Sequence, residues 1–166
     1  MRRRVLMFTF TLVLGLALAR MVTLAATDVA IAQGGNIYEA TLVEPNQKTP
    51  QVSTEELRRI LADGSAIVVD SRSHAQFVAG HIPGARNLDA PRSGSIAAVE
   101  RLVSGDKSKP LVLYCNGPFC QASRDLSEQL VGAGFTNVRR YQLGIPVWRA
   151  LGGVTEIELD GIVRVF

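Results

Sequence analysis

The sequence predicts an α/β fold in which a parallel sheet is sandwiched between helices. Short apolar runs at 66–70 and 111–114 alternate with longer segments in which apolar residues recur at helical spacing. Such continuous apolarity is typical of strands that are covered on both faces, as they are in parallel sheets. Because strands alternate with helices along the chain, we expect right-handed crossovers between parallel strands.

The helices are predicted from their caps and their apolar faces. Ser53 or Thr54 can cap the first helix, and Gly134 ends the last. In chain order, the predicted elements are a strand over 51–53, a helix from 53 or 54 to 62, a strand over 66–70, a helix over 74–79, turns over 81–85, a helix over 95–103, a strand over 111–114, a helix from 118 or 119 to 133 and a strand over 138–141. Residues 154–166 alternate in polarity around Asp160-Gly161, which predicts a C-terminal β-hairpin extension.

The N-terminus has the pattern of a secretory signal. Arginines follow Met1 directly, and an apolar run over 5–19 comes next, too short to span about 30 Å of hydrocarbon as a helix. Small residues before Gln33 and at 17–19 offer two cleavage sites. We therefore expect a signal peptide over 1–32, a linker over 33–50 and an exported, periplasmic protein. The alternative is a membrane anchor formed by residues 5–32, which would be the chain's one membrane contact.

The basic charge of the chain belongs to this leader. The sequence has 18 basic and 15 acidic residues. Removing residues 1–32 takes away four arginines and Asp28, and the remaining chain is formally neutral. No basic cluster with interleaved aromatic residues is found, so we do not expect nucleic acid as a partner.

Two cysteines, Cys115 and Cys120, are the only ones in the chain. In an oxidising compartment paired thiols tend to form a disulfide. A bridge between these two would close a very small loop, and its stabilising value would be small. Redox or nucleophilic chemistry therefore explains the pair better than structural stapling does.

Cys115 is placed at the carboxyl end of a predicted buried strand, where ligands bind in open parallel sheets. Gly117 can take a positive φ, and the loop leads into a helix. The amides of such a loop and the positive end of the helix stabilise a thiolate and an anionic substrate. We therefore predict that Cys115 is a reachable thiolate nucleophile, and that residues 116–121 form an anion cradle.

From residue 51 to residue 153 the chain resembles the rhodanese-like domains. Three segments carry the resemblance: Val69-Asp70-Ser71-Arg72, residues 77–87 with the string GHIPGA, and residues 143–148 ending in Trp148. The resemblance implies a five-stranded parallel sheet flanked by helices and sulfur transfer through a persulfide on Cys115. The predicted substrate-binding residues are Asn116, Gly117, Pro118, Phe119, Cys120, Gln121 and Arg72.

The implied partners are a small anionic sulfur donor such as thiosulfate and a thiophilic acceptor, either cyanide, a small thiol or a protein that accepts sulfur. The chain departs from the family pattern because its loop is longer and contains no arginine; the nearest is Arg124. Gln121 stands where related phosphatases with a C-x5-R loop have arginine. Since a phosphoryl group needs a strong cationic partner, we do not expect phosphatase activity.

Two alternatives from other functional classes stay open. The first is a sulfur carrier that hands sulfur to a partner without fast turnover. The second is a thiol–disulfide redox enzyme in which Cys120 is the resolving cysteine. No metal or cofactor is expected, since His74 and His81 with two cysteines do not make a convincing metal site.

The remaining polar and aromatic residues of the family segments are interpreted as structural. Asp70 and Arg72 could both line the substrate pocket, and Arg72 is named above as a candidate for it, but the pair is expected to tie loops together. His81 is interpreted as part of a turn. Tyr114 and Trp148 are interpreted as packing residues.

Overall fold

The computed structural model describes residues 47–89, 94–159 and 162–166. The predicted leader, most of the predicted linker and the Asp160-Gly161 turn lie outside the described residues. Across the described residues, no helix combines the length and the apolarity needed to cross a membrane.

The central sheet is parallel, as the alternation of strands and helices predicts. Its strands are β1 (Ile67–Asp70), β2 (Arg86–Asn87), β3 (Leu111–Tyr114) and β4 (Val138–Tyr141), and they lie side by side in the order β2-β1-β3-β4. The order places β1 and β3 at the centre, where both faces are covered. The α/β architecture is therefore confirmed.

The described sheet has four strands where the resemblance implies five. At the outer edge of β4, Gln51 makes an isolated parallel bridge with Arg140. The amide of Val52 donates to the carbonyl of Arg140 at 2.8 Å, and the amide of Arg140 donates to the carbonyl of Pro50 at 2.9 Å. The predicted strand over 51–53 thus pairs at the expected edge, but it is too short to form a regular strand.

Helices cover both faces of this sheet. They are α1 (Thr54–Asp63), α2 (His74–Val78), α3 (Ser95–Leu102), α4 (Gln121–Gly132) and α5 (Gly144–Ala150). One buried cluster joins apolar residues of α1, α2 and α5 to the sheet, and a second joins α3 and α4 to its other face. The predicted arrangement, a parallel sheet between two layers of helices, is therefore confirmed.

β3 illustrates why these runs are apolar at every position. Val112 and Tyr114 belong to the first cluster, whereas Leu111 and Leu113 belong to the second. All four are 0% exposed. Side chains alternate between the two faces of a strand, so a strand covered on both faces needs an apolar residue at each step.

The helix boundaries follow local chemistry. Ser53 caps α1 by accepting a hydrogen bond from the amide of Glu56, and Gly64 ends it in the left-handed conformation with φ of 66°. α4 begins at Gln121, later than predicted, because a turn comes first: the amide of Cys120 donates to the carbonyl of Gly117 at 3.0 Å. The extra residues therefore belong to the loop that follows Cys115.

The C-terminal hairpin is also present. β5 (Glu156–Leu159) pairs antiparallel with β6 (Ile162–Val165), in a register that sets Leu159 opposite Ile162. Glu156 forms a two-hydrogen-bond bridge with His81, at 2.8 and 2.9 Å between backbone atoms. The hairpin is therefore joined to the turn that follows α2.

Candidate active site

The loop after β3 contains both cysteines, and the start of α5 packs against its backbone. The amide of Ile145 donates to the carbonyl of Cys115 at 3.1 Å. Gly144 has φ of 65°, and a β-carbon built on it would overlap the carbonyl oxygen of Cys115 and the amide nitrogen of Gly117. The close backbone approach explains why glycine is required at position 144.

Cys115 and Cys120 are joined by a disulfide, with 6.2 Å between their Cα atoms. Cys115 is 2% exposed, and Cys120 is half-buried. The prediction of a reachable thiolate at Cys115 is therefore wrong for this oxidised form, because the sulfur is bonded and covered. The disulfide must be reduced before Cys115 can act as a nucleophile.

The rest of the loop offers backbone donors. The amide of Cys120 is used by the turn to Gly117. Within the described part of the chain, the amides of Asn116, Gly117 and Phe119 have no hydrogen-bond acceptor. Cys120 is also the residue that precedes α4, and its side chain forms no capping hydrogen bond. The loop thus retains amides that can face an anion.

The side chains of the predicted cradle differ in their surroundings. Asn116 and Gln121 are exposed, Pro118 is half-buried, and Phe119 is 95% exposed. The side-chain oxygen of Gln121 accepts a hydrogen bond from Nη1 of Arg124 at 3.3 Å. This contact places a cation within one helical turn of the loop, although no arginine lies in the loop itself.

Arg72 points into a buried polar network at the ends of β1 and β3. Its Nε lies 2.9 Å from Oδ1 of Asp70, and its Nη2 donates to the carbonyl of Gly80 at 2.8 Å. Burial lowers the pKa of Arg72, but the hydrogen bond and the charge of Asp70 outweigh it and hold that pKa above its ordinary value. Arg72 therefore ties loops together, and its assignment to substrate binding stays a prediction.

Tyr114 completes this network, which we call the Asp70 network (Asp70, Arg72 and Tyr114). Its hydroxyl donates to Oδ2 of Asp70 at 2.6 Å and accepts from the amide of Ile82 at 3.0 Å. Burial, with the nearby Asp70 carboxylate, raises the pKa of Tyr114, so the hydroxyl stays protonated. Tyr114 packs in the core as predicted, but its polar role was missed. The strand register would have indicated this role, because Tyr114 lies directly beside Asp70 on the neighbouring strand.

The GHIPGA turn is held by a second set of contacts. His81 is buried, its Nδ1 lies 3.0 Å from the carbonyl of Phe77, and its ring stacks on that of Phe77 at 3.7 Å. Nε2 of His81 lies 3.3 Å from Oε2 of Glu156, which also accepts from the amide of Gly84 at 2.9 Å. The structural interpretation of His81 agrees with these contacts.

Trp148 belongs to the core, whereas His74 lies at the surface. Trp148 is buried, and its Nε1 donates to the carbonyl of Val154 at 2.7 Å, so it is a core residue as predicted. His74 is exposed and borders an open cavity of about 320 Å³ near Asn87 and Ser95. Cys115 does not line that cavity. Among the described residues, no group of three or more histidine, cysteine, aspartate or glutamate side chains is arranged to hold a metal ion.

Known proteins resemble this chain in sequence. Residues 53–151 match the family profile of the Rhodanese-like domain. The thiosulfate sulfurtransferase GlpE of Pseudomonas entomophila is 34% identical over 100 residues, which cover 60% of this chain and 84% of that protein. An HTH-type transcriptional regulator of Mycobacterium tuberculosis is 32% identical over 101 residues, or 61% of this chain. The present chain spans only 42% of that regulator's length.

A solved structure agrees with these sequence matches. The human single-domain sulfurtransferase TSTD1 superposes with a TM-score of 0.52 at 30% identity, over 61% of this chain and 96% of that chain. The relatives that are named sulfurtransferases support sulfurtransferase activity in general, with a sulfur donor and a thiophilic acceptor. With the profile match over 53–151, they establish that this chain belongs to the rhodanese-like domain family.

Proposed function

We propose that the reduced protein is a sulfurtransferase that carries the transferred sulfur as a persulfide on Cys115. The observation that carries the proposal is the position of Cys115, between the buried strand β3 and the loop that leads into α4. In open parallel sheets, ligands bind beyond the carboxyl ends of the strands. The cycle begins once the bond between Cys115 and Cys120 has been reduced.

In the first half-reaction the Cys115 thiolate attacks the outer, sulfane sulfur of a small anionic donor such as thiosulfate. The bond between the two sulfur atoms of the donor breaks, and its electron pair leaves with sulfite. Cys115 then carries a persulfide. This step needs an ionised thiol and a donor held close to it. The amides of the cysteine loop can stabilise the thiolate and can also bind the anionic donor.

In the second half-reaction a thiophilic acceptor attacks the outer sulfur of the persulfide. Cyanide leaves as thiocyanate, whereas a small thiol or a protein thiol leaves as a new persulfide, and the Cys115 thiolate returns. Covalent catalysis divides one difficult transfer into two easier ones. Both half-reactions develop negative charge next to the same sulfur.

Backbone groups stabilise that charge in this proposal. The amides of Asn116, Gly117 and Phe119 lack acceptors among the described residues, and the N-terminus of α4 lacks a side-chain cap. Preorganised donors of this kind stabilise developing anions without the cost of reorganisation. Arg124, held through Gln121, adds positive charge one turn further along. These features support an anionic donor.

The experiment that tests the proposal is thiocyanate formation from thiosulfate and cyanide by the reduced protein. We expect turnover by the unmodified chain, at least equal turnover by Cys120→Ser, and none by Cys115→Ser. Thiocyanate formation by Cys115→Ser at the rate of the unmodified chain would contradict the assignment of the nucleophile. A single equivalent of thiocyanate without turnover would identify a sulfur carrier instead.

A second candidate function is favoured by the disulfide itself. A pair of cysteines that forms a disulfide at the carboxyl end of a central strand can exchange with thiols of a partner, as in a thiol–disulfide oxidoreductase. Such an enzyme needs both cysteines for activity. Loss of all activity in Cys120→Ser would favour it over sulfur transfer.

We also propose that the protein is exported to the periplasm, with residues 1–32 as a cleaved signal or residues 5–32 as a retained anchor. An oxidising compartment is consistent with the bond between Cys115 and Cys120. Fractionation of cells that express the full chain, with the mass of the recovered protein, separates the two cases. Recovery of the intact chain in the cytosol would contradict export.

A further inference from the structure

We propose that Cys120 resolves the Cys115 persulfide, so that the transferred sulfur leaves as hydrosulfide and the Cys115–Cys120 disulfide remains. The inference rests on the proposed persulfide on Cys115 and adds a further reaction to it. It assigns the disulfide of this structure to a step of the cycle. The protein would then reduce sulfane sulfur to sulfide in addition to transferring it.

The geometry places the second thiol within reach of the first. The two sulfur atoms are bonded in the described form, with the backbones 6.2 Å apart at Cα. The turn from Gly117 to Cys120 is fixed by a hydrogen bond of 3.0 Å, and α4 begins directly after it. After reduction, the same turn holds the thiol of Cys120 beside Cys115. Intramolecular attack from such a position has a large advantage over attack by a dissolved thiol.

The step balances without an added oxidant. The sulfur of Cys120 attacks Sγ of Cys115, a new bond forms between the two cysteines, and the bond from Sγ to the outer sulfur breaks. The outer sulfur leaves with the electron pair and with the proton that Cys120 gives up, as hydrosulfide. The sulfane sulfur is reduced by two electrons, and the two cysteine thiols are oxidised by two electrons.

The difference in exposure between the two cysteines determines which sulfur a reductant attacks when the disulfide is reduced. Cys115 is 2% exposed, whereas Cys120 is half-buried and follows the fully exposed Phe119. An external thiol therefore reaches the sulfur of Cys120 first and forms a mixed disulfide with it, so that Cys115 leaves as the thiolate. A second thiol, on the same dithiol reductant, then frees Cys120. The cycle requires a dithiol reductant, which is converted into its disulfide.

The net reaction follows from these steps. One thiosulfate and one dithiol give one sulfite, one hydrogen sulfide and one disulfide. Thiol acceptors and Cys120 compete for the same persulfide, but at different atoms: acceptors attack the outer sulfur, and Cys120 attacks Sγ. Cys120 thus determines whether sulfur is passed on or released.

The test uses the reduced, desalted chain, kept without oxygen and mixed with one equivalent of thiosulfate and no reductant. We expect the unmodified chain to release equal amounts of sulfite and sulfide and to end with two fewer hydrogen atoms in its intact mass. Cys120→Ser is expected to release sulfite alone and to keep one extra sulfur atom. Cys115→Ser is expected to do neither. Thermal unfolding of each reduced variant checks that it is folded.

The outcomes separate this inference from the proposed function. If the unmodified chain keeps the extra sulfur and releases no sulfide, as Cys120→Ser does, Cys120 does not resolve the persulfide, and sulfur transfer through Cys115 still stands. If folded Cys120→Ser neither releases sulfite nor gains sulfur, the persulfide itself is absent, and both proposals are wrong. Equal sulfide release by Cys120→Ser would also overturn the role of Cys120.

Discussion

The hydroxyl of Tyr114 lies 2.6 Å from Oδ2 of Asp70, and neither residue is exposed. The same hydroxyl accepts a hydrogen bond from the amide of Ile82. The last residue of β3, immediately before Cys115, is thereby fixed to the end of β1 and to the turn after α2. The cysteine that carries the proposed chemistry follows one of the most constrained residues of the domain.

Replacing Tyr114 by phenylalanine should destabilise the protein. The substitution leaves the buried Asp70 carboxylate and the Ile82 amide each without one partner, and we expect a loss of about 1–3 kcal/mol in the free energy of unfolding. Urea unfolding of the reduced protein measures it. Tyr141→Phe is the matched control, because the Tyr141 hydroxyl lies 2.9 Å from the neutral hydroxyl of Thr54. A loss no larger than that of the control would contradict the importance of the charged partner.

Stability should fall in alkaline solution because of Tyr114. The pKa of Tyr114 is raised in the folded protein, so the folded state keeps a proton that the unfolded state loses above about pH 10. Each further pH unit then favours unfolding by about 1.4 kcal/mol for this group. Arg72 keeps its charge over this range, because its pKa is raised above an ordinary value that is already high.

The measurement is the free energy of unfolding against pH, together with the ultraviolet absorbance of tyrosinate. Tyr114→Phe should show a shallower decline above about pH 10 than the unmodified chain. Identical slopes for the two proteins would show that Tyr114 ionises normally and that the pKa shift is wrong.

A methyl group at position 144 should disturb the cysteine loop. Gly144→Ala places a β-carbon against the carbonyl of Cys115 and the amide of Gly117, and it also strains a backbone with φ of 65°. We expect a loss of stability of roughly 1–3 kcal/mol and a large loss of sulfite release from thiosulfate. Both are measured on reduced protein.

Gly64→Ala separates the two causes. Gly64 has φ of 66°, but a β-carbon there meets no atom within 4 Å. Gly64→Ala therefore introduces the same backbone strain without a contact to the cysteine loop. We expect this control variant to release sulfite from thiosulfate at the rate of the unmodified chain. If both variants keep full activity, the close approach of residue 144 to the cysteine loop has no catalytic importance.

Removal of the Glu156 carboxylate should loosen the hairpin. Its Oε2 accepts from the amide of Gly84 and lies 3.3 Å from Nε2 of His81. For Glu156→Ala we expect a loss of about 1–2 kcal/mol and faster hydrogen exchange at the His81 amide. Glu158→Ala is the control, since Glu158 is a glutamate on the same strand, two residues after Glu156. Equal exchange in the two variants would contradict the proposed link.

The oxidised protein should not react with thiosulfate. Cys115 is bonded to Cys120 and covered, so no thiolate is present to attack the donor. We expect no sulfite from the oxidised chain and full release after treatment with a dithiol followed by desalting. Sulfite release that does not depend on this reduction would place the reaction at another group.

The buried strands could be predicted from sequence because burial on both faces leaves a continuous apolar run. β3 has that run over Leu111–Tyr114, and its bounds agree with the prediction. β2 was missed because it consists of Arg86 and Asn87 alone, and two polar residues carry no periodic signal. Its pairing with β1 is decided by the tertiary structure rather than by local preference.

The candidate site could be predicted only in part. Local order placed Cys115 at the end of a strand and predicted a loop after it. The later start of α4 was missed because Pro118 fits the first turn of a helix as well as it fits a loop. The Asp70 network was also missed in its detail, because it joins residues that are 44 positions apart, Asp70 and Tyr114, through hydrogen bonds that no local pattern reveals.

The position of the added sulfur in Cys120→Ser is the decisive evidence for or against a persulfide on Cys115. The reduced variant is treated with thiosulfate, alkylated, digested and analysed by peptide mass. We predict one extra sulfur atom on the peptide that contains Cys115, which would establish the persulfide at the end of β3. Release of sulfite with no added sulfur on that peptide, or a folded variant that gains no sulfur at all, would contradict sulfur transfer through Cys115.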